Sequence, residues 1–442
     1  MTEDVARELL LPAVIRTMPR MVRLTFMACD NSCLRLFLDA LTQPAPLLER
    51  LAVHGDDNHG RSAFKFSPTL FGGVAPVLRH LSCGSRERSL ELLFGREPTP
   101  AFSLVSALQL FHEPAENLPA VLRLFPGVRH LDMRRCTKRF SLFSLSADVS
   151  EVQSYHTQVE LLARQLCFLR MGNLEIPSSR CSITRLELAT QAFAAFRDIP
   201  RVEVEFEYRE LAIPEAVLEH MSSCSEIRAD LHPHPKYSGS EISRPYRFRV
   251  NSRISLEKSR LIEVCGADDA WYCIKGLTGS VKGLVTELCM PQIFFTYCVQ
   301  EIITCLPSLR TLRLDVYRYL PCELDETYEY GPALFRVGYR RGPESPDNPD
   351  DNWPTLRNLE LLRIKAKGKR RVKVDEQSLF EFLQSLHFVG GQPRLVLAGP
   401  LNLVGDGEKK EASSFGALLG NKFSSVRFGR TEGGKPSFSA KA

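Results

Sequence analysis

The residues best suited to chemistry in this chain are its cysteines, its histidines and one dense run of basic side chains. Cys224, His232 and His234 are donor types that hold zinc. Their spacing fits no standard zinc pattern, and His232-Pro-His234-Pro reads as a proline-punctuated loop. Cys29 with Cys33, and Cys298 with Cys305, fall on expected turn and helix faces, where buried free thiol is the ordinary state. Asp268-Asp269 and the carboxylates from Glu326 to Glu329 have no partner at a catalytic spacing, so exposed charge is the simpler reading. The sequence contains no Walker loop, no Gly-x-Gly-x-x-Gly and no Gly-x-Ser-x-Gly elbow. It points to no catalytic residue, no cofactor and no metal, and hence to a non-enzymatic protein.

The basic run is Lys365, Lys367, Lys369, Arg370, Arg371 and Lys373, six basic residues in nine. It suits a nuclear-import signal or a phosphate-binding patch, and more simply a solvated loop following a strand at Leu356. No aromatic residue interleaves it, so base stacking gains no support. The net charge of +5 over 442 residues is also small for a dedicated nucleic-acid binder. A nuclear, nucleic-acid-associated protein is therefore the alternative reading, not the leading one.

What must position any binding residue is a recurring phrase. Leu306-Pro-Ser-Leu-Arg-Thr-Leu-Arg-Leu314 is echoed by Phe125-Pro-Gly-Val-Arg-His-Leu-Asp-Met133 and by Trp353-Pro-Thr-Leu-Arg-Asn-Leu-Glu-Leu361, and Ala75 to Leu81 repeats most of it. The leucines alternate as in a strand with one buried face. The proline, which has no donor, marks where a helix stops and the chain turns into that strand. Units beginning at Met21, Leu48, Leu78, Val105 and Val128 are separated by 27, 30, 27 and 23 residues. Later units begin at Val285, Leu309, Leu334 and Leu356, separated by 24, 25 and 22. Short apolar units at this metre cannot bury their faces singly and must stack. The fold expected is α/β: a leucine-rich-repeat-like right-handed solenoid, or horseshoe, with parallel strands on one face, helices outside and irregular repeats.

Several other elements follow. Residues 1–17 form a short amphipathic helix with Pro12 at a kink, and Cys33–Ala40 and Ser378–Phe388 are helices. Glu151–Leu169 reads as a longer helix, Ile183–Leu188 as a resumed repeat, Ile199–Phe206 as a half-exposed strand and Arg394–Leu397 as a late strand. The expected organisation is a solenoid over 1–231, an irregular insertion or degenerate repeat over 232–282, a second solenoid over 283–430 and a disordered tail over 431–442. Strand positions facing the concave side are the candidate partner-binding residues. They are His130, Asp132 and Arg134; Arg185 and Glu187; Thr311, Arg313 and Asp315; and Asn358 and Glu360. Their mixed charge with recurrent arginine suits a protein segment.

Met21–Cys29 and Val128–Cys136 resemble the cysteine-containing leucine-rich repeats common in F-box proteins, and the divergent, proline-led units resemble those of fungal F-box/leucine-rich-repeat proteins. Only Cys29 and Cys136 fill the family's corner position. The F-box itself is not recognisable before Met21, although Leu10-Leu-Pro-Ala-Val-Ile-Arg-Thr-Met18 resembles its opening. The resemblance implies a substrate receptor of a cullin ubiquitin ligase, with the ligase adaptor and a substrate protein as partners. The 13 unevenly spaced cysteines, without a CxxC, imply reduced thiols in a cytoplasmic or nuclear setting. No apolar run approaches the length of a membrane span, so no membrane partner is expected, and the chain is expected to be monomeric outside a complex.

Overall fold

A computed structural model describes residues 3–28, 31–55, 65–85, 93–94, 98–111, 117–133, 140–141, 149–175, 195–206, 226–233, 246–253, 258–265, 284–292, 306–316, 355–367, 372–404, 419 and 422–428. The chain is mixed α/β, with parallel strands in sheets and helices outside them; no closed barrel occurs among the described residues. It divides into two compact units, Met1–Arg209 and Glu210–Ala442.

The first unit begins with helix. Glu3–Val5 leads into a π-helical turn, Ala6–Leu10, and then into α1 (Leu11–Thr17). Pro12 sits in the first turn of α1, where its missing donor costs least. Ala6 and Leu11 bury against Cys33 and Phe37 of α2 (Asn31–Ala40), with Phe26 packed alongside.

The strands of this unit are β1 (Arg23–Ala28), β2 (Arg50–Gly55), β3 (His80–Ser85), β4 (Ala107–Phe111), β5 (His130–Met133), β6 (Phe140–Ser141), β7 (Phe168–Glu175) and β8 (Arg201–Phe206). Strands β1 to β5, β7 and β8 pair in parallel in that order, and β6 pairs with β7. Their register puts Leu24, Leu51, Leu81, Leu108, Leu131, Leu169 and Val202 in one row. All of these are buried. Each full burial of such a side chain contributes about 1.5–3 kcal/mol.

A tight turn sets the phase. The amide of the residue that opens each strand unit donates to the carbonyl three residues earlier, at the expected openers Leu48 to Ala45, Leu78 to Ala75, Val105 to Phe102 and Val128 to Phe125, and also at Leu166 to Ala163 and Ile199 to Phe196. Both ends of every one of these turns are buried. Pro46, Pro76 and Pro126 occupy the second turn position, where a fixed φ is an advantage. The proline thus lies inside the turn that launches the strand. Behind β3 to β5 the core is phenylalanine as much as leucine: Phe94 stacks on Phe66 at 4.8 Å and meets Phe125 edge-on at 5.0 Å.

One expectation changes in this unit. The helix expected through Leu169 is instead α4 (Val149–Leu162), which follows α3 (Leu118–Leu124) and gives way to a turn and β7. Leu166, Leu169 and Met171 form a strand unit whose spacing from Val128 hid it. The resumed repeat over 183–188 lies outside the described residues.

The second unit contains β9 (Glu226–Pro233), β10 (Tyr246–Arg253), β11 (Ser259–Cys265), β12 (Glu287–Pro291), β13 (Thr311–Val316), β14 (Thr355–Leu356), β15 (Leu361–Ala366), β16 (Val372–Asp375), β17 (His387–Phe388), β18 (Arg394–Ala398), β19 (Leu401–Val404) and β20 (Ser425–Phe428). Strands β11, β10 and β9 are antiparallel neighbours. They occupy much of the stretch expected to be an irregular insertion. Apolar Phe248 and Val250 alternate there with Arg247 and Arg249, a two-residue period that surrounding proline and serine obscured. From β9 the order β12, β13, β15, β18, β20 is parallel throughout. Separate parallel pairs join β14 to β17 and β16 to β19. The helix α5 (Glu376–Ser385) is capped by Asp375, whose carboxylate accepts from the Ser378 amide at 2.6 Å.

The register corrects one repeat. Leu312 pairs with Leu362 and Leu314 with Ile364, so the strand matching Leu309–Leu314 is Leu359–Ile364, three residues later than the Trp353 phrase implied. Leu356 belongs to the small β14–β17 pair. The unit expected at Leu334 lies outside the described residues.

Two outcomes test this packing. Leu312→Asp places a charge in the buried row and should cost about 4 kcal/mol or more in urea denaturation, while Thr311→Asp on the opposite face should change stability by about 0.5 kcal/mol or less. A Cβ at Gly84 would collide with Phe111 on the adjacent strand, so Gly84→Ala should lower the melting temperature; an unchanged melt would refute the β3–β4 register.

Candidate functional site

The strand face opposite the buried rows is where polar side chains gather. In the first unit, one row runs Arg23, Arg50, His80, Ala107, His130, Phe168, Arg201 across adjacent strands. Arg23, Arg50, His80, His130 and Arg201 are exposed. The Arg201 guanidinium lies 5.4 Å from the centroid of the Phe168 ring, and His130 neighbours that ring at 6.3 Å. Partial desolvation holds the His80 imidazole below its usual pKa; Arg50 and His130 add to this and Glu49 opposes it. His80 is therefore neutral near pH 7.

The next row of the same face includes Ala52, Ser82, Gln109, Asp132, Arg170 and Glu203. Ser82 donates its hydroxyl proton to Gln109 Oε1 at 3.1 Å and lies 3.4 Å from His54 Nε2, while the His54 ring packs edge-on against Phe111 at 4.9 Å. The Ser82 hydroxyl thus lies between an amide oxygen and an imidazole nitrogen, the shorter contact being to the amide. Glu203 is 3% exposed and receives Arg201 Nε at 2.9 Å and Arg170 at 3.0 Å. The carboxylate is buried, and both partners are hydrogen-bonded cations, the condition that makes such burial tolerable.

The second unit repeats the device. Asp315 is fully buried, with Arg313 Nε at 2.8 Å from Oδ1 and Lys367 Nζ at 2.9 Å from Oδ2. The Cys289 thiol donates to Oδ2 at 3.5 Å. In both units an arginine two residues before the acid, on the same strand, supplies one cation, and a residue on or just beyond an adjacent strand, Arg170 or Lys367, supplies the other.

The expected partner-binding residues therefore separate. His130 and Asp132 stand on the polar face of β5, and Thr311 on that of β13. Asp315 cannot be touched by a partner, because it is buried, and Arg313 is committed to neutralising it. Asn358 and Glu360 precede β15 instead of lying on it. Asn358 Nδ2 donates to the Pro307 carbonyl at 2.7 Å, and Glu360 faces Arg310 at 3.5 Å, so both serve the turn. Arg134, Arg185 and Glu187 lie outside the described residues.

The basic run is divided. Lys365 is on the polar face of β15 and Lys367 just beyond it, so this part is strand and not loop; Lys373 is exposed on β16. Lys369, Arg370 and Arg371 lie outside the described residues. No three His, Cys, Asp or Glu side chains gather at metal-binding distance among the described residues, and Cys224 and His234 are not among these.

Sequence reading missed the His54–Ser82–Gln109 contact, Arg363, the buried Glu203 and the burial of Asp315. The only signal available was local: Arg201-Val-Glu203 and Arg313-Leu-Asp315 each place an arginine two residues before an acid on one strand face.

Arg313→Ala should destabilise the second unit by about 3 kcal/mol, because Asp315 is left with one cation in a dry site, whereas Asp315→Asn should cost about 1–2 kcal/mol. Guanidinium denaturation of the two variants checks the order; equal losses would mean that Asp315 is hydrated.

No protein-family model matches the chain, and no curated protein matches it either.

Proposed function

We propose that the chain is a leucine-rich-repeat-like solenoid, a right-handed coil of irregular repeats, that acts as a non-enzymatic scaffold and captures a protein partner on its concave strand face. The observation that carries this reading is the exposed row Arg23, Arg50, His80, His130 and Arg201, held on one face of parallel strands opposite the leucine row, with Ala107 and Phe168 interposed. Arg23, Arg50 and His80 stand on neighbouring strands, about 4.8 Å apart, and side chains fixed in this way on a sheet are pre-organised, so a partner loses little entropy in ordering them. The resemblance to F-box/leucine-rich-repeat proteins gives the reading its specific form, a substrate receptor that meets a cullin-ligase adaptor and a substrate protein. The nucleic-acid alternative is weaker, since it needs the basic run as one patch, and Lys365 and Lys373 are on strands of different sheets.

Affinity purification of the tagged chain from its native cell tests this. The wild type should retain a reproducible partner set that includes the cullin adaptor, and Arg23→Glu with Arg50→Glu should reduce recovery of the substrate protein about tenfold or more. Recovery unchanged in a variant with wild-type melting would overturn the face assignment. Absence of the adaptor would overturn the ligase role and leave the scaffold.

A further inference from the structure

The polar face of β13, β15 and β18 carries Thr311, Arg313 and Asp315, then Leu361, Arg363 and Lys365, then Arg394, Val396 and Ala398. Asp315 is the one carboxylate among them, and Arg313 and Lys367 already hold it. Arg363 is paired in register with Arg313 on one side and with Val396 on the other. Along its own strand the neighbours on this face are Leu361 and Lys365. The cation thus faces another cation and apolar side chains. It is half-buried, and its Nε is buried without a hydrogen-bond acceptor among the described residues. A buried donor left unmatched is costly, and native proteins rarely leave one without a reason.

We infer that this face binds an oxyanion carried on an acidic protein segment, with Arg363 as the receiving residue and Lys365 assisting it. This deepens the scaffold reading and rests on it. A guanidinium presents parallel N–H donors that match a carboxylate or a phosphoryl group, and the surplus of positive charge around Arg363 raises its attraction for either. Leu361 and Val396 flank Arg363, so the segment also meets short apolar side chains beside its acid. No aromatic ring stands on these strand positions, which disfavours a nucleic acid that would stack its bases.

Fluorescence anisotropy on the full chain decides the matter. The probes are a labelled glutamate–alanine peptide, the same peptide with phosphoserine for glutamate, its glutamine–alanine counterpart, and a single-stranded RNA of equal charge. Both acidic peptides should bind, more weakly as sodium chloride is raised, and the glutamine peptide should not. The stronger of the two acidic probes identifies the oxyanion. Arg363→Gln should weaken binding about tenfold or more, Lys365→Gln several-fold, and Lys373→Gln not at all. Arg363→Met removes the unmatched donor and should keep or raise the denaturation midpoint while abolishing binding. A clear fall in that midpoint would assign Arg363 a structural role and overturn the inference. Equal binding of the glutamine peptide, indifference to Arg363→Gln, or preference for the RNA would overturn it too. Partner recovery that persists from a wild-type chain unable to bind the acidic peptides would refute this inference alone and leave the scaffold standing.

Discussion

The geometry of both units depends on one shared hydrogen bond. A carbonyl just before each strand accepts from two successive amides at the start of the neighbouring strand: Val22 from Glu49 and Arg50, Glu49 from Arg79 and His80, Arg79 from Ser106 and Ala107, Ser106 from Arg129 and His130. The same link joins Thr286 to Arg310 and Thr311, and Arg310 to Glu360 and Leu361, in the second unit. A carbonyl has two lone pairs, so one oxygen satisfies both donors at the point where the chain leaves its turn. Because each link fixes where the next strand begins, the leucine rows stay in register although the loops between them vary in length. Variable loops are tolerated cheaply, since closure entropy grows only slowly with length.

Fixing the register also fixes the opposite face. A strand alternates, so whatever stands between the buried leucines is presented in rows. Where those residues are exposed, as at Arg23 and Arg50, they are available to a partner. Where an acid falls on the second row, neighbouring cations close over it, as at Glu203 and Asp315. Such pairs contribute little net stability because desolvation offsets their attraction. Their effect is positional: each holds an arginine in one orientation on the strand face.

The phrase around Leu306 was legible because its chemistry is local. Proline at the second turn position, an apolar residue at each turn end and alternating leucines each constrain the nearby backbone. Two things were not legible. Val128 and Leu166 belong to consecutive strand units separated by a helix, and no fixed metre links them. The identity of facing residues across strands was also hidden, since Arg363 meets Arg313 only once the register is known. Asp315 reads in the sequence as a surface acid on a polar face, and nothing nearby in the chain announces Lys367 as its second cation.

The error over Trp353–Leu361 shows why register, more than motif, decides a reading of function. Both Leu356–Leu361 and Leu359–Ile364 satisfy the same apolar pattern, and the first has the better proline and arginine. The second is selected because Glu360 and Leu361 supply the two amides that the Arg310 carbonyl requires. A shift of three residues is odd, so it inverts the strand: Asn358 and Glu360 leave the presented face for the turn, Leu361 and Arg363 take their place, and Lys365 follows on the same face. The motif would have directed attention to a neutral amide and an acid already facing Arg310. The hydrogen-bonded register replaces them with a leucine and an arginine whose Nε has no acceptor among the described residues, which is what makes an acidic partner the one to propose.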